Sequence, residues 1–239
     1  MTAIFISDLH LTAGDAETTR RFVEFTEGPA RAARELYILG DLFEAWIGDD
    51  DDDQRLTPIV VALRRLTDSG VACALMHGNR DFLLGRRFCL ATGARLLGDY
   101  ERITLFGQPV LLTHGDLLCT DDTRYMTLRS ELRSPDWQRD FLARPLAERR
   151  QIASDLRQLS ATEIAAKDEY IMDVNQSAVE RTMRDHGVAL LMHGHTHRPA
   201  VHRFDLDGRP AARIVLGAWY HDPSIVRWTE AGFELEPLD

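Results

Sequence analysis

Ala3-Ile4-Phe5-Ile6-Ser7-Asp8-Leu9-His10 and Leu190-Leu191-Met192-His193-Gly194-His195-Thr196-His197 share one plan, a short apolar run that stops at a polar motif. Three further stretches repeat it. Leu36-Tyr37-Ile38-Leu39 leads into Gly40-Asp41, residues 71–76 into His77-Gly78-Asn79-Arg80-Asp81, and Val110-Leu111-Leu112-Thr113 into His114-Gly115-Asp116. Apolar runs of this length, bounded by glycine and polar residues, read as buried strands. In α/β sheets, ligands bind beyond the carboxyl ends of such strands, where loops gather. Five polar motifs at five such ends therefore predict one shared site.

Helical spacing fills the intervals, over residues 19–33, 56–66, 81–91 and 178–186. Hairpins are expected at Gly107-Gln108-Pro109 and at Asp207-Gly208. Strands alternating with helices, followed by hairpins, predict an α/β protein with two stacked sheets covered by helices. Residues 119–172 break this rhythm, with apolar stripes at helical spacing (Leu128 and Leu132; Trp137 and Phe141; Leu146, Ile152, Leu156 and Leu159) and no apolar strand. The expectation is a core of residues 1–118 and 173–239 with a helical cap, 119–172, inserted over the site. Residues 121–160, within that cap, hold eight Arg and seven Asp or Glu, a balance of +1 against −11 for the rest of the chain. Most of its apolar residues are expected to pack the insert together, with Trp46 and Phe82 better placed to border the site.

The net charge of −10 argues against broad nucleic-acid binding, which needs a basic face. Three cysteines, Cys73, Cys89 and Cys119, with no C-x-x-C pair, suit a reducing, cytoplasmic setting. There is no basic leader and no apolar run near the ~20 residues of a membrane span, so work at a membrane would be done at its surface. The acidic run of residues 49–53 lacks the spaced ligands of a calcium loop and is expected to be solvated.

Asp8, His10, Asp41, Asn79, His114, His195 and His197 collect at the strand ends. Carboxylate, imidazole and amide oxygen suit Mn²⁺, Zn²⁺ or Fe²⁺, and the lack of thiolates weighs against a structural zinc cage. Seven ligands are too many for one catalytic ion with an open position. They suit two ions sharing one carboxylate, with Asp41 as the bridge. Two ions ~3.5–4 Å apart activate a water and clamp both attacking and departing oxygens, which favours displacement at phosphorus. His77, His186, His202 and His221 read as ordinary core or surface histidines. His193 lies outside the ligand set, because His195 and His197 share one face by strand alternation.

Asp8-Leu9-His10, Gly40-Asp41-Leu42-Phe43-Glu44, Gly78-Asn79-Arg80-Asp81, His114-Gly115 and Gly194-His195-Thr196-His197 resemble the five signatures of the calcineurin-like metallophosphoesterases. The resemblance implies two stacked mixed sheets in an αββα sandwich. It also implies one ion held by Asp8, His10, Asp41 and His197, and another by Asp41, Asn79, His114 and His195. Much of that superfamily has histidine after the asparagine, placed to protonate the leaving group. Here the position is Arg80, always charged and unable to donate a proton, but a good clamp for phosphate. A leaving phosphate, whose second pKa is only about 6, needs little protonation. Arg80 thus favours pyrophosphate cleavage over hydrolysis of simple monoesters.

The Gly-Asn-Arg-Asp variant, the helical insertion and Ile171-Met172-Asp173-Val174-Asn175 are similar to the UDP-2,3-diacylglucosamine pyrophosphatases of lipid A biosynthesis. That resemblance implies a Mn²⁺-dependent hydrolase releasing UMP and 2,3-diacylglucosamine 1-phosphate, with Asp41, Asn79, Arg80 and His195 at the reaction. It implies substrate contacts from Asn79, Arg80, Asp122, Ser160, Lys167 and His195; a further family contact falls on Ile164 and is left out. The implied partners are the acylated nucleotide-sugar and, peripherally, the cytoplasmic face of a Gram-negative inner membrane, with no nucleic acid and no obligate protein partner. Alternatives are another metallophosphoesterase, acting on nucleotide phosphodiesters or dinucleoside polyphosphates, a non-catalytic interaction module on the same fold, and a generic membrane-binding protein.

Overall fold

Strands buried on both faces show no polar alternation in sequence, yet their side chains still alternate in space. The computed structural model describes residues 2–166, 173–221 and 223–238, with 160–166 as helical backbone. Its strands are β1 (Ala3–Ile6), β2 (Glu35–Ile38), β3 (Ala72–Leu75), β4 (Arg95–Leu96), β5 (Tyr100–Leu105), β6 (Gln108–Thr113), β7 (Leu190–His193), β8 (Ala200–Leu206), β9 (Arg209–Val215), β10 (Ser224–Thr229) and β11 (Gly232–Pro237). Its α-helices are α1 (Ala16–Glu27), α2 (Thr57–Asp68), α3 (Arg86–Thr92), α4 (Thr123–Leu132), α5 (Pro135–Leu142), α6 (Leu146–Ala166) and α7 (Gln176–His186).

Two mixed sheets result, ordered β11-β10-β1-β2-β3-β4 and β5-β6-β7-β9-β8. β1 to β4 are parallel and β10 joins β1 antiparallel. In the second sheet β6, β7 and β9 are parallel, with antiparallel edges β5 and β8. Phe5, Tyr37 and Met76 pack between the sheets against Leu112, Met192 and Ile214. Their sequence neighbours Ile4, Ile6, Leu36, Ile38 and Leu75 face the other way, onto Phe22, Leu63 and Phe88 of α1 to α3. Each such side chain contributes about 1.5–3 kcal/mol by leaving water. Val179 and Met183 of α7 cover Leu111 and Leu191 on the outer face of the second sheet.

Both expected hairpins form, at β5–β6 and β8–β9. Two helices are shorter than their periodicity. The helix expected over 19–33 ends at Glu27, because Pro29 removes a backbone donor and the chain continues as one tight turn, Pro29–Ala32. The helix expected over 81–91 begins only at Arg86. The Asp81 carboxylate is drawn instead to the backbone N–H groups of Leu42, Phe43 and Gly78, at 2.8, 3.3 and 2.8 Å.

The loop expected at 49–53 forms with Asp50 and Asp52 exposed, but its carboxylates are paired rather than merely solvated. Asp49 accepts from the N–H groups of Gly85, Arg87 and Phe88, satisfying donors at the start of α3. Asp50 takes a two-pronged ion pair from Arg149 of α6, at 2.7 and 2.5 Å, and Arg149 is 3% exposed. Arg150 reaches Asp51 and Asp52. Like charges cluster here because arginines from the distant helical segment meet them. Phe141, Trp137 and Ile152 complete that contact against Ile47 and Leu83. Among the described residues no helix is long and apolar enough to cross a membrane.

Candidate metal centre

All five polar motifs sit just past the carboxyl ends of β1, β2, β3, β6 and β7. Short hydrogen bonds knit the loops together: Asp8 N–H donates to Gly40 O (3.1 Å), His10 N–H to Asp41 O (3.0 Å) and Gly194 N–H to His114 O (2.9 Å). Asp8, His10, Asp41, His195 and His197 all have φ between 50° and 66°. Side chains other than glycine avoid that region at about 1–3 kcal/mol each, and such strain gathers where function demands it. The expected strand alternation of His195 and His197 is therefore corrected: β7 stops at His193, and both residues lie on a left-handed loop.

The seven side chains converge as two overlapping groups. Asp8 Oδ1 lies 3.2 Å from His197 Nε2 and 3.9 Å from His10 Nε2. The two imidazole Nε2 atoms of His10 and His197 are 3.3 Å apart. Asn79 Oδ1 is 2.9 Å from both His114 Nε2 and His195 Nδ1. Asp41 Oδ2 stands between the groups, 3.7 Å from His10 Nε2 and 3.7 Å from His114 Nε2.

Outward-facing atoms are already engaged. His10 Nδ1–H donates to Glu44 (2.8 Å) and His114 Nδ1–H to Leu39 O (2.8 Å), while His197 Nδ1 meets the Tyr220 hydroxyl (2.9 Å). Asp41 Oδ1 accepts from Arg80 N–H at 2.8 Å. With hydrogens on Nδ1, the neutral rings of His10 and His114 aim lone pairs at a carboxylate oxygen. Such an array is stable only with positive charge inside it. Burial alone would lower the His10 imidazole, but its hydrogen bond to Glu44 and the charges of Asp41 and Asp8 raise it to about 9. His114 is raised likewise, against its burial, by Asp41 and Asp8. Protons or divalent cations can fill the same need, and the donor set fits cations at two positions. Asp8, His10 and His197 form one compact group, and Asp8, Asp41 and His114 another.

Arg80 flanks this centre, its side chain 20% exposed and 3.9 Å from Glu44. Asn79 and Arg80 also border a cavity of about 820 Å³, part of it open to solvent, whose walls include Trp46, Phe82, Leu128, Leu132, Trp137 and Leu156. Of the other expected contacts, Asp122 caps α4 by accepting from Tyr125 N–H. Ser160 lies on α6 with its side chain outside the described residues, as is Ile164, and Lys167 is outside them altogether. Leu159 is 45% exposed, away from the cavity wall.

Several residues at the site carry no role in the sequence reading. Glu44 and Asp81 stand inside the quoted motifs, so their position was the available signal. Burial, with the charge of Asp41, pushes the Asp81 carboxyl up to about 6. Asp116 accepts from Tyr125 Oη (2.7 Å) and Arg129 Nε (2.6 Å), and Arg133 donates to Gly78 O (2.8 Å), so α4 is tied to two motif loops. His193 is buried and pushed down to about 3 by that burial and by Arg213. Burial and His114 lower His195 to about 4. Tyr220 had no motif around it to signal its place.

Residues 1–199 match the calcineurin-like phosphoesterase family. A Chromohalobacter salexigens protein named UDP-2,3-diacylglucosamine hydrolase is 52% identical over 219 residues, 92% of this chain and 89% of that one. A Cellvibrio japonicus protein of the same name is 48% identical over 239 residues, the whole of both chains. Among solved structures, an archaeal phosphodiesterase superposes with a TM-score of 0.50 at 11% identity, covering 100% of both chains, which speaks to fold alone. The chain belongs to the calcineurin-like phosphoesterases, and within them to the family of proteins named UDP-2,3-diacylglucosamine hydrolase.

Proposed function

We propose that this chain hydrolyses UDP-2,3-diacylglucosamine to UMP and 2,3-diacylglucosamine 1-phosphate, a step of lipid A biosynthesis. The observation that carries the reading is the junction at Asn79 and Arg80, where the metal centre meets an apolar cavity. A pyrophosphate with an acylated sugar on one side needs both surfaces at once.

Two divalent cations, best matched to Mn²⁺, supply an activated water and neutralise phosphate charge when bound. Asp8, His10, Asp41 and His197 would hold one, and Asp41, Asn79, His114 and His195 the other. Water attacks the α-phosphorus, and the bond to the sugar-side phosphate oxygen breaks. Arg80 clamps the departing phosphate, which leaves as an anion with no proton donor needed. Asn79 and His195, in mutual contact at 2.9 Å, orient the diphosphate. Asp122, Ser160 and Lys167 contact the substrate. Residues 119–172 serve as a cap over a core of 1–118 and 173–239, with acyl chains against Leu128, Leu132 and Trp137. The protein works at the cytoplasmic face of the inner membrane, held peripherally.

The test is Mn²⁺-dependent release of UMP from UDP-2,3-diacylglucosamine beside UDP-GlcNAc. Each buried methylene contributes about 0.8 kcal/mol, so eight of them predict kcat/KM higher for the acylated substrate by about 10⁴-fold or more. Equal cleavage of the two would discard the lipid assignment, and cleavage of neither would discard the enzyme. Arg80→His is expected to slow the acylated substrate at least tenfold by removing the permanent charge; an unchanged rate would refute the clamp.

A further inference from the structure

His193 closes β7 fully buried, and both its ring nitrogens have partners. Nδ1 is 2.7 Å from Gly194 O, and Nε2 is 3.1 Å from Arg213 Nη1. A carbonyl only accepts and a guanidinium only donates, so one tautomer fits, with hydrogen on Nδ1 and a bare Nε2. Gly194 O also accepts from Thr196 N–H at 2.8 Å. The same peptide group presents the His195 N–H on its other side, donating to Asp8 Oδ2 at 2.8 Å. Because a peptide is planar, fixing its oxygen fixes its N–H. Asp8 is thereby held by Oδ2, and Oδ1 is left facing His10 and His197, at 3.9 and 3.2 Å.

This unit has no slack. A Cβ on Gly194 would lie 2.0 Å from Asp8 Oδ2, and one on Gly115 would lie 2.7 Å from His193 Nδ1. The imidazole is therefore wedged between the turn after His114 and the peptide before His195. Arg213 is itself 6% exposed, and among the described residues its Nε has no hydrogen-bond partner and Asp173 Oδ1 comes no nearer than 3.8 Å. Burying a guanidinium with donors unspent is unfavourable, so its contribution to stability does not explain it. Its hydrogen bond to His193 at 3.1 Å does.

We propose that Arg213 and His193 are a positioning pair for the metal centre: Arg213 sets the His193 tautomer, His193 holds the Gly194–His195 peptide, and that peptide aims Asp8 at the cation shared with His10 and His197. The inference rests on the two-cation reading above. Neither residue touches substrate or ion.

The test uses the whole chain, stripped with chelator and titrated with Mn²⁺ alone, reading stoichiometry and Kd by calorimetry and electron paramagnetic resonance. Arg213→Met and His193→Phe are each expected to keep one tight Mn²⁺ and weaken the other about 10–100-fold, the usual effect of losing an outer-shell partner. Arg213→Lys, which keeps a donor for Nε2, is expected to recover most of the loss. Two tight ions in Arg213→Met would overturn the proposal, whatever its melting temperature. Failure of both truncating variants to fold would overturn it too, by making the pair a matter of stability alone. Fewer than two ions in the unmodified chain would instead sink the two-cation reading, and this inference with it.

Discussion

Asp41→Asn is expected to abolish UMP release while leaving the fold intact. Asparagine tolerates the left-handed φ of 50° at this position and can still accept from Arg80 N–H through its amide oxygen. It loses the anionic oxygen that stands 3.7 Å from both His10 and His114. On the proposed two-cation reading that oxygen serves both positions, so one substitution weakens two sites. The drop in kcat should exceed the about 100-fold that marks the upper range for an outer-shell partner. Metal content should fall below two per chain. Circular dichroism and melting temperature should move little, because relief of the Asp41–Asp81 repulsion offsets part of any loss. A rate within tenfold of the unmodified chain would remove Asp41 from its bridging role.

Gly78→Ala is the second large effect, and it acts without deleting any functional group. An added Cβ would lie 2.0 Å from Asp41 Oδ1 and 2.2 Å from Asp41 N. The second of these is backbone, so no side-chain rotation relieves the clash. The loops after β2 and β3 must part, which typically costs about 1–3 kcal/mol of stability. A displacement near 1 Å at a reacting site costs about 100-fold in rate. Both changes should appear together, as a lower melting temperature and a lower kcat. Gly14→Ala is the control, since its Cβ would meet only Thr12 Oγ1 at 3.8 Å and both quantities should hold. An active Gly78→Ala with normal Mn²⁺ uptake would show that the close approach is dispensable.

The strands of the core were legible because burial on both faces writes itself as uninterrupted apolar residues, as in Ala3-Ile4-Phe5-Ile6. The convergence of the seven candidate ligands was legible because each follows such a run. Less visible were elements whose partners lie far along the chain. Asp50 meets Arg149 across 99 positions, and nothing local to residues 49–53 signals an arginine there. Asp81 opens a stretch of helical periodicity, yet its carboxylate closes onto Leu42 and Phe43, 39 and 38 positions away. Tyr220 reaches His197 from a loop with no motif of its own.

Residue type and order by themselves determined the class of chemistry. Carboxylate, imidazole and amide at five strand ends admit divalent cations, and Arg80 in place of histidine admits a clamp but no acid. Only the tertiary structure decided how those groups divide and are aimed. Which nitrogen of His10 or His114 faces inward depends on Glu44 and the Leu39 carbonyl, and Asp8 takes its direction from a peptide that His193 and Arg213 hold. Composition carries through to chemistry because it belongs to each side chain alone. Orientation belongs to hydrogen bonds between residues far apart in sequence, which exist only once the chain has folded.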